Sequence, residues 1–457
     1  MHLAFDRGTV TLIDPLPCVD PRQLPGMAWD ARVARYRAAA RHHASIRAEL
    51  AVGGVQFSDS VRTSPPDSAD WTPPELRPYQ EAALAAWGEA GRRGMVVLPT
   101  GAGKTRVAIA AMARCARPSL VVAPTRALVE QWIQELRRHY GGEVGCVGDG
   151  MFEVKSLTVA TIESAWRHMS GFGNRFELLV VDEAHHFGNG ARDEALEMSV
   201  APARLGLTAT PPRDERVLLR LGDLIGPIVY ELSIPDLAGS HLANFDLATI
   251  GLELFPDERE RYDGWIRAFR VLQRTFGEIS PDSTWRELAK HAGRTKEGRA
   301  GLEGFRKARK LIAFARAKRT AVARLLATHR DSRVLVFTGD NESAYALARE
   351  HLVMPITCDV GRAERESALE RFRSGELRAL VSSRVLNEGL DVPDADVAIV
   401  VAGAMGEREH TQRVGRLLRP RAGKRARVYE LVMRRTIEVR QAERRREGLV
   451  DRSAAHT

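Results

Sequence analysis

Two long stretches of the chain alternate short apolar runs with amphipathic segments. In the first, from residue 76 to about 237, segments such as Lys104–Cys115 and Ala127–Arg138 have helical spacing. The apolar runs between them predict buried strands at Met95–Leu98, Leu120–Ala123, Leu157–Ala160, Leu178–Val181 and Leu205–Thr208. Strands that alternate with helices predict a parallel sheet covered on both faces, with ligands bound at the carboxyl ends of its strands.

The second alternating region runs from about residue 310 to residue 437. Its strands are predicted at Arg333–Phe337, Pro355–Thr357, Ala379–Ser382, Val397–Val401 and Arg427–Leu431. This region has no Lys-Thr phosphate loop of its own. The pattern therefore predicts an α/β protein with two parallel-sheet domains that share one nucleotide site.

Three segments lie outside this alternation. The first sixty residues contain a strand-like run, Gly8–Ile13, and a helix-like run, Ala31–Leu50, which together predict a small N-terminal module. Residues Ser58–Pro74 are rich in Ser, Pro and Asp and predict a linker. Asp257–Arg309 is charged, with a helical pattern and no strand alternation, and it interrupts the sequence between the two sheet domains as an insertion.

Composition narrows the class of protein. Hydrophobic residues make up 44% and charged residues 28%, as in soluble globular proteins. With no apolar stretch of membrane-span length and no secretory signal, we expect a cytoplasmic protein without membrane contact. The four cysteines are scattered without a Cys-x-x-Cys pair, which argues against zinc or an iron–sulfur cluster. A net charge of +9 suits a polyanionic partner, although a generally Arg-rich composition explains it as well.

The most informative motif follows the first strand. Leu98–Thr105 reads Leu-Pro-Thr-Gly-Ala-Gly-Lys-Thr, so that glycines let backbone N–H groups wrap a phosphate chain at the start of a helix. Lys104 supplies a charge for the β- and γ-phosphates, and the Thr105 hydroxyl can ligate Mg²⁺. The predicted phosphate loop comprises Thr100, Gly101, Ala102, Gly103, Lys104 and Thr105. The strict pattern has glycine where this chain has Leu98.

A second motif follows a later strand. Val180–His186 reads Val-Val-Asp-Glu-Ala-His-His. Asp182 is predicted to hold Mg²⁺, and Glu183 to orient and deprotonate the attacking water. Each motif alone is explained by a tight turn or a solvated strand end. The two in this order predict ATP hydrolysis with Mg²⁺.

The second domain carries two further candidate segments. In Thr411–Pro420, Arg416 and Arg419 are three residues apart and share a face if the segment is helical. After a nucleotide domain without such an arginine, we expect them to act as arginine fingers, although alone they fit a solvated basic helix face. In Ser382–Pro393, small hydroxyls are predicted to contact a nucleic-acid backbone and Asp391 to reach a ribose; a Gly- and Pro-punctuated turn explains this segment equally well.

Polar groups in the first domain complete the candidate site. Pro124, Thr125 and Arg126 precede a helix and offer donors to phosphates, or form a plain N-cap. Leu207–Thr210 ends a strand in polar residues. Gln80, in Arg77-Pro-Tyr-Gln, can read adenine by paired hydrogen bonds, although a helix N-terminus also explains it.

Together these blocks, spread from Gln80 to Arg419, resemble superfamily 2 helicases, and in particular the shorter prokaryotic members of the XPB group. The resemblance also covers Phe5–Thr9, and residues 29–40 are similar to the end of the family's damage-recognition domain. It implies two RecA-like domains, ATP hydrolysis coupled to 3′-to-5′ movement on DNA, local unwinding and a role in DNA repair. The implied boundaries are 1–65 for the damage-recognition-like domain, 66–238 for RecA-like domain 1, 239–256 and 310–457 for RecA-like domain 2, and 257–309 for a thumb-like insertion that grips DNA.

The resemblance assigns roles to individual residues. Gln412 joins the two arginines in catalysis, while Arg77, Gln80, Gly389 and Asp391 help to bind the nucleotide. The implied DNA contacts are Pro124, Thr125, Arg126, Thr161, Ser382 and Ser383. The implied coupling and unwinding residues are His185, Thr208, Thr210, Arg213, Asp214 and Glu215. Arg213-Asp214-Glu215 stands where the family has Arg-Glu-Asp, so the two acids are exchanged.

The expected partner is single-stranded, duplex or forked DNA, bound by a monomer, and the resemblance suggests a nuclease partner. Two other classes stay open. A double-stranded DNA translocase of phage defence or restriction hydrolyses ATP without displacing strands. An RNA-stimulated ATPase responds more strongly to RNA than to DNA.

Overall fold

The computed structural model describes residues 1–63, 69–237, 244–279, 285–383, 395–402 and 425–446. The chain forms two compact units, one from residues 1–233 and the other from the described residues beyond them. Gly389, Asp391, Gln412, Arg416 and Arg419 lie outside the described residues, so their roles remain predictions. No helix in the described part of the chain is long and apolar enough to cross a bilayer.

The first unit begins with a five-stranded sheet in the order β3-β4-β2-β1-β5. Its strands are β1 (His2–Asp6), β2 (Thr9–Ile13), β3 (Ala28–Asp30), β4 (Arg35–Ala39) and β5 (Ser58–Asp59), and α1 (His43–Val52) covers it. Leu3, Val10 and Ile46 are fully buried in its core. The same core includes Val200, from beyond this module, so the module packs firmly on the rest of the unit.

Two sequence predictions in this module are wrong. The predicted helix over residues 31–50 is α-helical only from His43 onward, because residues 35–39 form β4, which pairs with β2 and β3. The predicted linker begins too early, because β5 pairs in parallel with β1 and Val61 is fully buried. Long-range pairing overrides local pattern in both places.

The larger sheet of the first unit has eight strands in the order β13-β6-β12-β11-β7-β10-β8-β9. Its strands are β6 (Arg93–Val97), β7 (Ser119–Ala123), β8 (Val144–Gly148), β9 (Met151–Glu153), β10 (Leu157–Thr161), β11 (Leu178–Val181), β12 (Ala203–Thr208) and β13 (Ile228–Glu231). Its helices are α2 (Pro78–Glu89), α3 (Lys104–Cys115), α4 (Arg126–His139), α5 (Ile162–Phe172), α6 (Glu194–Glu197) and α7 (Glu215–Leu224). All pairings are parallel except that of β8 with β9. The five predicted strands are all present, and β8, β9 and β13 were not predicted.

The strand order decides which motifs meet. β12 lies between β6 and β11, so the segment after β12 sits between the phosphate loop and the Asp182–Glu183 pair. The ends of β7, β8 and β10 lie together on the other side of β11. The sheet therefore separates the edge that carries the predicted phosphate loop from a second group of polar residues.

The second unit has a six-stranded parallel sheet in the order β14-β19-β18-β15-β17-β16. Its strands are β14 (Asn244–Leu252), β15 (Val334–Phe337), β16 (Met354–Ile356), β17 (Ala379–Ser382), β18 (Val397–Val400) and β19 (Arg425–Met433). Its helices are α8 (Ile234–Leu237), α9 (Pro256–Ile279), α10 (Trp285–Ala292), α11 (Lys296–Ala313), α12 (Arg316–Thr328), α13 (Asn341–His351), α14 (Arg362–Ser374) and α15 (Glu438–Arg446). The predicted fold class, with two parallel-sheet domains and a helical insertion, is confirmed.

The insertion has a hydrophobic core, although its sequence is rich in charged residues. Tyr262, Ile266 and Phe269 of α9 pack with Phe305 of α11, and the rings of Phe269 and Phe305 stack at 4.1 Å. Met433, at the end of β19, belongs to the same core. The insertion is therefore an integral part of the second unit.

A buried arginine holds the first unit together. Arg204 of β12 is fully buried, and its guanidinium donates to the carbonyl oxygens of Leu196, Ser199, Ala201 and Leu224 at 2.5–3.1 Å. Burial, together with the positive charges of Arg93 and Arg41, lowers the pKa of Arg204 to about 9, so it remains mostly protonated at neutral pH. The side chain thereby ties the segment after α6 to the end of α7.

We expect Arg204→Met to lower the free energy of unfolding of the first unit by about 3–5 kcal/mol, because buried carbonyls lose their donors. Chemical denaturation of the full chain measures the effect. Arg35→Met, which changes an exposed arginine of β4, is the matched control and should cost less than about 0.5 kcal/mol. Equal stability of the two variants would contradict the tying role of Arg204.

Candidate active site and nucleic-acid cleft

The phosphate loop has the backbone geometry that anion binding needs. Gly101 and Gly103 have φ of +86° and +78°, a region that favours glycine. A Cβ added to Gly103 would lie 2.4 Å from Nε2 of Gln80, so the site also lacks room for a larger residue. Because α3 starts at Lys104, the amides of its first turn face the loop.

Two side chains of this loop fit a bound phosphate chain. Lys104 folds back so that its Nζ donates to the Leu98 carbonyl at 3.1 Å, which holds the ammonium beside the loop. The Thr100 hydroxyl oxygen is buried and has no hydrogen-bond partner among the described residues. A buried polar atom of this kind is costly unless a ligand satisfies it.

Asp182 and Glu183 follow β11, the fully buried strand beside β12. Asp182 Oδ2 accepts a hydrogen bond from the indole Nε1 of Trp132 at 2.8 Å, and Oδ1 accepts from the Glu183 backbone at 3.0 Å. Burial raises the pKa of Asp182, while the Trp132 hydrogen bond and the positive charge of Lys104 oppose this rise. The carboxylate is thus oriented and poised for a cation.

Glu183 has an unusual backbone conformation. Its φ of +47° lies in the left-handed region, which non-glycine residues seldom adopt and which often marks functional sites. The chain turns sharply there into a short 3₁₀ helix at Ala184–His186. Its carboxylate Oε2 lies 3.4 Å from Nδ1 of His185.

A hydrogen-bond network joins this turn to β12. His185 Nδ1 lies 3.1 Å from the Thr208 hydroxyl, which also donates to the Thr210 carbonyl and accepts from the Thr210 amide, both at 3.2 Å. The tautomer of His185 decides which of the two groups donates in this contact. The structure thus brings together His185, Thr208 and Thr210, the residues proposed for coupling.

Gln80 is nearly fully buried beside the phosphate loop. Its Nε2 donates to the Ala102 carbonyl at 2.8 Å, and its Oε1 accepts from the Arg77 backbone amide at 2.9 Å. Tyr79 also donates to the Ala102 carbonyl, at 2.9 Å. Gln80 therefore connects the start of α2 to the loop, and these bonds use one donor and one acceptor position of its amide. Adenine recognition stays a prediction.

The donor set fits magnesium. Among the described residues, no group of three or more His, Cys, Asp and Glu side chains is arranged to hold a metal. Magnesium usually needs only one or two protein ligands beside substrate phosphates and water. The Thr105 hydroxyl and the Asp182 carboxylate are of this hard-oxygen type.

Trp132 was not identified as a functional residue from the sequence. Trp132 lies with Val129 and Leu136 on the buried face of α4, which is the spacing of an ordinary core residue. A buried indole N–H needs a hydrogen-bond partner, and this requirement was the one indication in the sequence that Trp132 contacts a polar group. Its partner proves to be Asp182.

We expect Trp132→Phe to lower the affinity for Mg²⁺ or the ATPase activity by about 10–100-fold. This is the usual effect of losing a group that orients a metal ligand. Removing the indole donor leaves the effect of burial less opposed, so the pKa of Asp182 rises further. The ionised form then requires a higher pH, and the acid limb of ATPase activity should move upward. A pH series at several Mg²⁺ concentrations measures this.

Trp87→Phe is the matched control, because Trp87 also donates a buried indole hydrogen bond, to the Arg204 carbonyl at 2.9 Å. This variant should lose comparable stability without a shift in the acid limb. An equal shift in both variants would point to general destabilisation.

The predicted DNA contacts of the first unit line one cleft of about 600 Å³. Pro124, Thr125, Arg126 and Thr161 lie there at the ends of β7 and β10, and the two threonines cap α4 and α5. Ser382 and Ser383 belong to the second unit. The Ser382 hydroxyl is buried without a hydrogen-bond partner among the described residues, and Ser383 Oγ donates to Asn341 Oδ1 at 2.5 Å. DNA binding at these residues stays a prediction.

The Arg-Asp-Glu element starts α7. Arg213, Asp214 and Glu215 are exposed, and the Asp214 carboxylate accepts from the Arg216 amide at 2.9 Å as the N-cap. Arg220 of this helix donates a hydrogen bond to the buried Asp193 at 3.1 Å. Neither residue was identified as functional from the sequence. Asp193 also accepts from the Gly188 amide at 2.8 Å. α7 is thereby linked to the loop that follows Asp182–Glu183.

Comparison with known proteins places these features in a family. Residues 3–61 match the Xeroderma pigmentosum group B helicase damage recognition domain, residues 73–213 the Type III restriction enzyme, res subunit, and residues 317–421 the Helicase conserved C-terminal domain. A solved structure, the Hef helicase domain of Pyrococcus furiosus, covers 80% of this chain and 97% of its own, with a TM-score of 0.53 and 20% identity. That likeness concerns the fold alone.

Two relatives carry the family assignment. "DNA 3'-5' translocase XPB2" of Sulfurisphaera tokodaii is 34% identical over 93% of this chain and 96% of its own length. "DNA 3'-5' helicase XPB" of Mycobacterium tuberculosis is 30% identical over 82% of this chain and 64% of its own length. The chain therefore belongs to the XPB family of superfamily 2 helicases.

Proposed function

We propose that this protein is an ATP-driven motor that moves 3′ to 5′ on DNA, unwinds it locally and acts in DNA repair. The relatives named above are a DNA 3'-5' translocase and a DNA 3'-5' helicase. The observation that carries the proposal is the position of Asp182 and Glu183 beside a phosphate loop of suitable backbone geometry, with Thr208 between them. This arrangement suits hydrolysis of a nucleoside triphosphate and transmission of its effect along β12.

We assign each residue a role that its position supports. Backbone amides at the start of α3 and the Lys104 ammonium bind the phosphate chain of ATP. Mg²⁺, held by Thr105 and Asp182, would neutralise charge on the phosphates. Glu183 accepts a proton from the attacking water. His185 contacts both Glu183 and Thr208, so a change at the Glu183 carboxylate is transmitted through it to the end of β12.

The direct test measures ATP turnover of the full chain without nucleic acid and with single-stranded DNA, duplex DNA, forked DNA or RNA. A strand-displacement assay is run in parallel. We expect DNA to stimulate turnover, and a 3′-tailed duplex to be separated. Stimulation without displacement would instead identify a double-stranded DNA translocase. Stronger stimulation by RNA than by DNA would identify an RNA-dependent ATPase.

The insertion has a surface that supports contact with DNA. Arg267, Arg270 and Arg274 are exposed on α9, and their spacing places them on one helix face. The adjoining face of the helix supplies the core residues Ile266 and Phe269. Such a basic stripe on a well-packed helix suits phosphate contacts along a nucleic-acid backbone.

We expect the double variant Asp214→Asn, Glu215→Gln to reduce strand displacement strongly while basal ATP turnover stays near that of the wild type. Both residues are exposed at the start of α7, and the substitutions remove charge while Asn keeps the helix cap. Parallel ATPase and displacement assays measure the separation of the two activities. Asp214→Ala, which also removes the cap, distinguishes loss of charge from helix fraying, and unchanged displacement in the double variant would contradict the assignment.

We also propose that the protein is a monomer and, from the family resemblance, that it has a nuclease partner. Light scattering coupled to gel filtration tests the oligomeric state.

A further inference from the structure

The cleft of about 600 Å³ in the first unit has two chemically different walls. One wall contains the N-termini of α4 and α5, capped by Thr125 and Thr161. The other is the hairpin formed by β8 and β9, whose two-residue turn, Asp149–Gly150, has positive φ at both positions. Such two-residue turns are tight and define the hairpin geometry well.

The hairpin presents an aromatic ring to the cleft. Phe152 is 61% exposed although it lines this cleft. Its ring centroid lies 5.1 Å from that of His168 and 6.2 Å from that of Phe172, both on α5. These tilted contacts hold one side of the ring in place, so an exposed, oriented aromatic surface is formed before any ligand binds.

The opposite wall suits a phosphodiester. Backbone amide donors at helix N-termini favour anions. Arg126 pairs with Asp149 across the mouth of the cleft at 2.6 Å, and both side chains are at least half exposed. An ion pair this exposed contributes little to stability, so a phosphate can replace Asp149 as the partner of Arg126 at small cost.

We propose that Phe152 is a stacking platform for an unpaired base of single-stranded DNA whose backbone lies against the N-termini of α4 and α5. The inference rests on the proposed function and adds to it a base contact at a defined residue. In a duplex, base faces are covered by their neighbours, so the platform favours a single strand over a duplex. Stacking tolerates any base, because every base has a π-face, so little sequence preference is expected.

The test uses the full chain and two labelled oligonucleotides of equal length. One is a single strand of mixed sequence, and the other carries abasic sites at its internal positions, so it keeps the phosphates without the bases. Phe152→Ala should lower affinity for the mixed-sequence strand by about 5- to 100-fold and leave affinity for the abasic strand nearly unchanged. Phe152→Trp should keep the preference for bases, and Phe152→Leu should lose most of it.

Trp166→Ala is the matched control, since Trp166 is 41% exposed on α5 and is not among the cleft-lining residues. It should bind both strands like the wild type. The inference is overturned if Phe152→Ala binds the mixed-sequence strand like the wild type, or if it loses affinity for both strands equally, which would assign the hairpin a purely structural role. A wild type whose ATPase does not respond to any DNA would instead contradict the proposed function itself.

Discussion

Replacing Glu183 by glutamine should slow ATP hydrolysis by about 10²–10⁴-fold while nucleotide binding is retained. The amide has the shape of the carboxylate but cannot accept the proton of the attacking water. Phosphate release measures turnover, and binding of a fluorescent nucleotide measures affinity. Lys104→Ala should have the contrasting effect of weakening nucleotide binding, because the ammonium contacts the phosphates in the ground state as well.

Glu194→Gln provides the matched control for this expectation. Glu194 is an exposed carboxylate in α6 of the same unit, and its loss should leave turnover unchanged. Near wild-type turnover in Glu183→Gln would show that another group is the base. The left-handed backbone at Glu183 would then need a different explanation.

Arg416→Ala should lower kcat by about 10³–10⁵-fold, the range seen for arginine fingers, with a much smaller effect on ATP affinity. A finger stabilises charge that develops in the transition state, so its loss appears in kcat rather than in ground-state binding. Arg416→Lys should restore little activity, because lysine lacks the planar fork of donors. Single-turnover hydrolysis and equilibrium nucleotide binding measure the two quantities.

Arg324→Ala, at an exposed arginine of α12, is the control, and it should behave like the wild type. If nucleotide affinity collapses in Arg416→Ala while kcat is kept, Arg416 is a ground-state ligand. The prediction that Arg416 acts as an arginine finger would then be wrong.

Local motifs predicted which segments meet at one edge of the larger sheet. Leu98–Thr105 needs glycines for its backbone conformation, and Asp182 with Glu183 must directly follow a buried strand. Both requirements are visible in the sequence within a few consecutive residues. Five strands in each of the two larger sheets were likewise visible as apolar runs, because strands buried on both faces must be continuously hydrophobic.

Local pattern failed where distant segments decide the structure. β4 and β5 exist because they pair with strands far away in the sequence, and the β8–β9 hairpin contains a strand of only three residues. The amphipathic pattern of the insertion was visible only as charge, because its core residues are spread over α9 and α11 and meet after the helices pack.

By itself, the sequence determined the two-sheet α/β class, the phosphate loop and the acidic pair, since each depends on residues that are neighbours in the chain. Only the tertiary structure decided that Trp132 orients Asp182, that His185 reaches Thr208, and that Phe152 lines the same cleft as the N-termini of α4 and α5. These contacts depend on strand order, which places β12 between β6 and β11 and gathers β7, β8 and β10 on the far side. Strand order follows from the packing of the whole sheet, which no short segment encodes.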